Sequence, residues 1–388
     1  MKITDINAYV VTPPGHGYGG PNERQWTFVR IDTDEGIHGW GECTNYPGGG
    51  SFLTARAVLA MKEVLVGEDP TNIEPLWHRL FRRYTYMSSR GFASTAISGI
   101  DIALWDIKGK ALGVPVYELL GGKFRDEVRL YANGWFTGAT TPEDYYEAAK
   151  KVVADGHEAM KLDPFNEMVP VHTKFTDGVI SHAGEQLGYD IVRAVREAIG
   201  PKPEILIDAH GNFNVPTAIR LANTLHEQSN IEWFEEPLPQ ESFDALETVR
   251  RNTVPNICVG ERLYTRWDFL PIFRRNLANY IMPDIVWTGG ISEIKKIASM
   301  AEAYYVPISP HNAMGSIQIV AGAHVCMSTV NFYRLEHAIS FIPMYQAMLE
   351  EPIDFHGQCV KVSGKPGLGV EVSLEAMERY RAEGWEWY

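Results

Sequence analysis

Cysteine is scarce in these 388 residues, with only Cys43, Cys258, Cys326 and Cys359 and no C-x-x-C pair among them. So wide a spacing suggests neither a disulfide framework nor a zinc knuckle, and the expected compartment is reducing. Basic residues are outnumbered, Lys+Arg 35 against Asp+Glu 49, which leaves a formal charge of −14. That balance argues against a nucleic-acid surface, which has to attract phosphates. Long apolar runs are missing too. No stretch reaches the roughly 18 uninterrupted apolar residues of a membrane span, and the first residues, Met1-Lys2-Ile3-Thr4-Asp5, carry no apolar export segment. The expectation is a cytoplasmic protein with no membrane partner. At 45% hydrophobic and 22% charged residues, the chain is neither disordered nor low in complexity.

The length suits two or three domains, or a barrel with an extra module. Up to about Phe124 the pattern is α+β. Strand-like runs cover Ile3 to Val11, Trp26 to Ile31 and Ile37 to Glu42, and helical periodicity follows over Leu53 to Val66, Ile73 to Tyr84 and Ser94 to Leu112. Two glycine-rich stretches, Pro13 to Pro21 and Tyr46 to Ser51, lie between these elements. A phosphate loop needs a helix directly after its glycines, whereas a strand follows the first stretch, so a mobile surface loop is the better reading.

From about Val128 short apolar strands alternate with helix-length connections. The strands read as Val128 to Ala132, Ala159 to Leu162, Ile205 to Ile207, Trp233 to Phe234, Ile257 to Val259, Tyr280 to Met282, Val306 to Ser309 and Phe332 to Leu335. Eight such strands in series predict a (β/α)8-type barrel, whose chemistry sits at the C-terminal strand ends. Each strand there ends on polar residues: Asn133, Lys161 with Asp163, Asp208 with His210, Glu235, Glu261, Asp284, His311 and Glu336. One carboxylate after a strand is commonplace, often a helix cap. A closed barrel, however, points all eight ends at one small region.

Asp208, Glu235 and Glu261 follow consecutive strands, so their oxygens can converge on one ion. An all-oxygen set without His or Cys suits Mg²⁺. Glu236 points elsewhere by strand alternation and reads as structural. His210 and His311 flank the proposed metal, and Asp284 can fix the tautomer of His311 and raise its basicity, making that pair a general base.

The chain resembles the enolase superfamily, in its mandelate racemase subgroup and there the acid-sugar dehydratases. The resemblance runs over nearly the whole chain. It is carried by Gly99-Ile100-Asp101-Ile102-Ala103-Leu104-Trp105-Asp106, Leu119-Leu120-Gly121-Gly122, Asp208-Ala209-His210, Trp233-Phe234-Glu235-Glu236-Pro237, Gly260-Glu261-Arg262, Pro283-Asp284, Gly289-Gly290-Ile291 and Pro310-His311-Asn312. It implies an α/β fold, a modified TIM barrel (β/α)7β over residues 125–340, with an N-terminal α+β capping domain (1–124) completed by a returning C-terminal segment (341–388). Tyr131 to Trp135, Lys161 to Phe165 and His311 to Gln318 look most like the gluconate and galactonate dehydratases. Racemases of the subgroup carry Lys-x-Lys after the second barrel strand, the second Lys being a base; here the run is Lys161-Leu162-Asp163. A two-base racemisation is therefore disfavoured.

The implied reaction is Mg²⁺-dependent dehydration of a sugar acid to a 2-keto-3-deoxy acid. His311 would take the C2 proton and His210 would protonate the leaving C3 hydroxyl. Mg²⁺, Glu336 in its protonated form and Lys161 would stabilise the enediolate. Asp163, Asn133, Trp135 and Arg90 are candidate substrate contacts, with specificity expected in the two glycine-rich loops. The expected partner is a small carboxylate substrate, and the resemblance implies a homo-oligomer. The rival readings are a cycloisomerase or epimerase on the same scaffold, and a non-catalytic sugar-acid binding protein.

Overall fold

A computed structural model describes residues 1–14, 25–46, 49–168 and 177–386. The N-terminal module is an antiparallel sheet of β1 (Ile3–Val11), β2 (Trp26–Thr33) and β3 (His38–Glu42), in that order, backed by helices Gly50–Leu65, Ile73–Tyr84 and Phe92–Leu112. Glycine decides how closely β3 meets the last of these helices. A Cβ at Gly39 would lie 2.2 Å from the Ala103 carbonyl oxygen, and one at Gly41 only 1.9 Å from that of Gly99. With neither present, the strand lies directly on the helix, and its end, Glu42, is carried to the barrel. The helix stops at Gly113, whose φ of 71° is the left-handed cap that glycine adopts without strain. Ile6, Val10, Val29 and Ile31 of the sheet pack with Val58, Met61, Leu80, Ile97 and Leu104 of the helices into a core of their own.

Parallel strands β4 (Val128–Asn133), β5 (Ala159–Leu162), β6 (Glu204–Asp208), β7 (Trp233–Glu235), β8 (Asn256–Val259) and β9 (Tyr280–Ile281) pair in sequence order. The seventh barrel strand, expected over Val306 to Ser309, is reduced to Ile308, which bridges Ile281 on one side and Phe332 on the other. The eighth, β10 (Leu335–Ala338), pairs with β4 and closes the barrel. It lies three residues further along than the apolar pattern suggested, because Glu336 and His337 are strand residues here. Glu336 pairs in register with Tyr131, and its carboxylate meets the Lys161 ammonium inside the barrel. The His337 ring packs on Phe355.

Among the described residues, seven α-helices separate the eight strand positions, giving the (β/α)7β arrangement. Tyr131, Trp233, Cys258 and Met282, fully buried, plug the barrel below the polar strand ends. Each large apolar side chain buried there contributes about 1.5–3 kcal/mol, and the plug keeps the charges above it out of water from below.

The C-terminal segment divides its contacts. A hairpin of β11 (Asp354–His356) and β12 (Cys359–Lys361) joins the barrel, with Cys359 and Val360 antiparallel to Arg129 and Val128 of β4. Both the start of the segment and its later part reach the capping module: Phe341 and Tyr345 pack on Trp26 of β2. Glu371 accepts bonds from Trp40 and Lys110, Ala382 N–H donates to the Val10 carbonyl, and Trp385 lies in the cap core. No helix among the described residues is long and apolar enough to cross a membrane.

Candidate active site

The strand ends bring Asp208, Glu235 and Glu261 together at the barrel mouth. Asp208 and Glu235 close β6 and β7 in register, and Glu261 stands two residues beyond β8. One oxygen from each lies within 4.8 Å of the others, and all three residues are buried. An all-oxygen donor set this compact fits a hard dication such as Mg²⁺.

Lys161, on β5, is fully buried against this set. Its Nζ lies 2.6 Å from Glu235 Oε1, 2.8 Å from Glu336 Oε1 and 3.2 Å from Asp208 Oδ2. All three ammonium protons are thus engaged by carboxylates. Burial alone would lower its pKa, but the surrounding acids hold it well above the ordinary lysine value. Asp208 is driven the other way: His210 and Lys161 outweigh burial and keep it low.

His311 and Asp284 meet as expected, with Nδ1 2.5 Å from Asp284 Oδ2. The other ring nitrogen, Nε2, faces Glu261 at 3.5 Å and Glu336 at 3.8 Å. Asp284 is itself fixed by Gln318 Nε2 at 2.8 Å and the Val286 N–H at 2.7 Å. Burial lowers the His311 pKa, yet the carboxylates of Glu336 and Glu261 outweigh it and raise it to about 9.

His210 has a partner that the sequence did not reveal. Its Nδ1 lies 3.0 Å from Asp163 Oδ2, so a second His–Asp pair faces the acid triad. Asp163, expected to contact substrate, spends its other oxygen on the Phe165 N–H. His210 sits at φ 49°, a backbone conformation uncommon for a non-glycine residue, with its N–H on Asp208 Oδ1 and its carbonyl held by Arg262. Its side chain is 30% exposed against 7% for His311. Burial is again outweighed, here by Asp208 and Asp163, and its pKa rises to about 9.

Glu336 is not the protonated donor expected from the sequence. Lys161 and His311 overcome its burial and hold it at about 2, and as a carboxylate it accepts from Lys161, from Asn133 Nδ2 at 2.6 Å and from the Asn312 N–H at 2.9 Å. Three further expected substrate contacts are also committed within the protein. The Asn133 amide is divided between Glu336 and the Gly134 N–H. The Trp135 indole N–H donates to the Lys161 carbonyl, and Arg90 pairs with Asp268. Position after a strand is visible in sequence; what a donor is already bonded to is not. Of the loops expected to set specificity, most of the first (residues 15–21) and residues 47–48 of the second lie outside the described residues, while Gly50 and Ser51 of the second already open helix Gly50–Leu65.

Sequence reasoning also missed residues behind the base. The Trp287 ring stacks on the His311 ring with centroids 5.3 Å apart, and Gln318 holds Asp284. Glu42, which no spacing connects to position 315, lies buried against the loop and helix that follow His311.

A cap over a (β/α)7β barrel, with carboxylates gathered at its mouth, defines an enolase-type protein. Residues 6–121 match the mandelate racemase / muconate lactonizing enzyme, N-terminal domain family, and residues 144–377 the enolase C-terminal domain-like family, so the chain belongs to the mandelate racemase / muconate lactonizing enzyme family. It is 36% identical to a D-gluconate dehydratase of Thermoproteus tenax over 97% of this chain and 76% of that one. To a D-xylonate dehydratase of Haloferax volcanii it is 34% identical, over 99% of this chain and 90% of that one. The crystal structure of a mandelate racemase/muconate lactonizing enzyme-like protein from Rubrobacter xylanophilus superposes with a TM-score of 0.87 at 36% identity, covering 99% of this chain and 98% of the other. The named relatives are hydro-lyases, and this chain is an enzyme of that type.

Proposed function

We propose that the protein dehydrates an aldonate of the D-gluconate or D-galactonate type to a 2-keto-3-deoxy acid, using Mg²⁺ held by Asp208, Glu235 and Glu261. The observation that carries this reading is the pair of His–Asp couples, His311–Asp284 and His210–Asp163, set around one acid triad. Removing the C2 proton of a carboxylate places a second negative charge on it, and a dication at the triad supplies the electrostatic stabilisation for that charge. In each couple the carboxylate on Nδ1 leaves Nε2 as the working nitrogen.

His311 is the base in this scheme: Nε2 takes the C2 proton, and Asp284 stabilises the imidazolium that forms. His210 is the acid. Asp208 and Asp163 favour its protonated form at neutral pH, and it passes that proton to the C3 hydroxyl, which leaves as water while the C2–C3 double bond forms. The enol then tautomerises to the ketone. Lys161 and Glu336 have their places in the scheme as a fixed charge pair beside the developing enediolate. Asn133, Trp135 and Asp163 support Glu336, Lys161 and His210, and Arg90 stays with Asp268. Residues 1–124, 125–340 and 341–388 are taken as cap, barrel and C-terminal segment of a cytoplasmic homo-oligomer.

Deuterated water tests the assignment. His210→Asn is expected to release no water while still exchanging the substrate α-proton, because base and metal ligands remain; His311→Asn is expected to lose both. Proton transfer by a placed side chain is worth about 10²–10⁴-fold, so either loss is easily measured. Exchange retained by His311→Asn and lost by His210→Asn would reverse the two roles.

A further inference from the structure

The end of β3 contacts the machinery around His311 along two separate routes. On the first, Glu42 is fully buried and accepts four hydrogen bonds. Oε1 takes the Gly315 N–H at 2.7 Å and the Thr44 hydroxyl at 2.7 Å; Oε2 takes the N–H groups of Ile317 at 3.1 Å and Gln318 at 3.0 Å. A carboxylate from the capping module therefore satisfies the free donors that open helix Ser316–Met327 of the barrel. There is no room for anything else at this joint, since a Cβ on Gly315 would lie 2.5 Å from the Glu42 oxygen. Gln318, anchored by this contact, bonds Asp284 through Nε2 and the Met314 N–H through Oε1.

On the second route, the Thr44 carbonyl accepts the Trp287 indole N–H at 2.8 Å, and that indole lies on the His311 ring with an interplanar angle of 29°. The two routes meet, because the Thr44 hydroxyl donates to Glu42 while its oxygen accepts the Thr27 N–H. One route fixes the partner of the imidazole and the other fixes its face.

We propose that Glu42 and Thr44 of the capping module are positioning residues for the general base, acting through Gln318–Asp284 and through Trp287. The inference rests on the reading of His311 as the base. It adds that the barrel alone does not set the aim of that base: the docked cap does. An imidazole free to turn about its Nδ1 bond to Asp284 would point Nε2 away from the C2 proton for part of the time. Substrate affinity, set elsewhere, would be little affected.

The test uses the full-length, Mg²⁺-loaded enzyme with whichever of D-gluconate, D-galactonate and D-xylonate it turns over, unlabelled and deuterated at C2. Trp287→Phe keeps an aromatic face on His311 but loses the bond to Thr44; Trp287→Leu loses both; Glu42→Gln puts an amide donor against backbone donors. Misplacement of about 1 Å can cost roughly 10²-fold in rate. Expected are kcat losses of roughly 10-fold for Trp287→Phe and up to about 100-fold for Trp287→Leu and Glu42→Gln, with KM within about twofold and a larger C2-deuterium isotope effect as proton removal becomes limiting. Two results would overturn the proposal. One is wild-type kcat and isotope effect in folded Trp287→Leu and Glu42→Gln. The other is a kcat loss matched by the loss of folded protein with an unchanged isotope effect, which is what a purely structural joint gives. A His311→Asn control separates the two layers: α-exchange retained there removes the base itself, whereas exchange lost there with unaffected joint variants removes only the joint.

Discussion

Replacing Lys161 with Met isolates the charge balance of the site. The ammonium lies 2.6–3.2 Å from three carboxylates, and at an effective dielectric near 20 each contact has a gross attraction of roughly 5–6 kcal/mol. Much of this is offset by the cost of burying an ammonium, several kcal/mol. Removing one partner of such a buried set typically costs about 3–5 kcal/mol, because the charges left behind are uncompensated. Lys161→Met leaves Asp208, Glu235 and Glu336 in that condition, and the loss should appear in full in metal-free protein. In saturating Mg²⁺ a dication at the triad would supply positive charge to two of these three acids, Asp208 and Glu235, and the loss should fall to about 1–2 kcal/mol, the remainder being the uncompensated Glu336. Urea unfolding followed by tryptophan fluorescence, with and without Mg²⁺, reads the difference; Trp233 lies in the plug just below the site. An equal loss in both conditions would refute the reasoning, since ammonium and dication would then not share their acids.

Exhaustive chelation should abolish turnover and added Mg²⁺ should restore it, with full activity in chelator counting against the triad as a metal site. Glu261→Gln should weaken Mg²⁺ binding, read by calorimetry, without unfolding the barrel. His337 tests acid stability: burial, then His157, pushes its pKa from 6.5 to about 3. The unfolded chain therefore binds a proton that the folded chain refuses. Stability present above pH 6.5 is lost as the pH falls toward 3, by about 3 kcal/mol at pH 4. His337→Leu should remove most of that pH-dependent loss, and an unchanged acid-unfolding curve would show that the ring does not carry it.

The parts of this structure legible in the sequence are those that local patterns control. Helix Ile73–Tyr84 and β5 have the bounds their periodicity predicts, and the acids closing β6 and β7 were found because a strand end fixes where its last side chain points. The eighth strand was displaced because Glu336 and His337 read as an ending. In the barrel they are strand residues, one satisfied by Lys161 and the other packed on Phe355. The hydrogen-bond partners of Asp163, Trp135 and Asn133 were illegible for a different reason. A side chain's type shows what it can donate or accept, but only tertiary contact shows which bonds it has already made. The joint from Glu42 to Gly315 spans 273 positions and has no periodicity to betray it.

The same charges that raise both histidines account for how they can become free to act. Six carboxylates contact Lys161 or a site histidine: Asp163, Asp208, Glu235, Glu261, Asp284 and Glu336. Lys161 and Arg262, the latter 3.1 Å from Glu261, are the permanent cations among them. With all six ionised that leaves a deficit of four charges in a pocket sealed from below, and burial together with the charge of Asp208 answers part of it by pushing Glu235 well above the ordinary carboxylate range. Protonating His210 and His311 halves it, which is the physical content of their pKa values near 9. A dication at the triad would remove the other half and would also oppose the charge of Glu261, one of the two acids that chiefly hold the proton on His311. It would equally oppose the charge of Asp208, the acid that acts most strongly on His210, whereas Glu336 and Asp284 beside His311 and Asp163 beside His210 all stand outside the triad. A dication would thus loosen the proton on both histidines, and the division into base and acid is what the exchange of the α-proton in the two His→Asn variants decides.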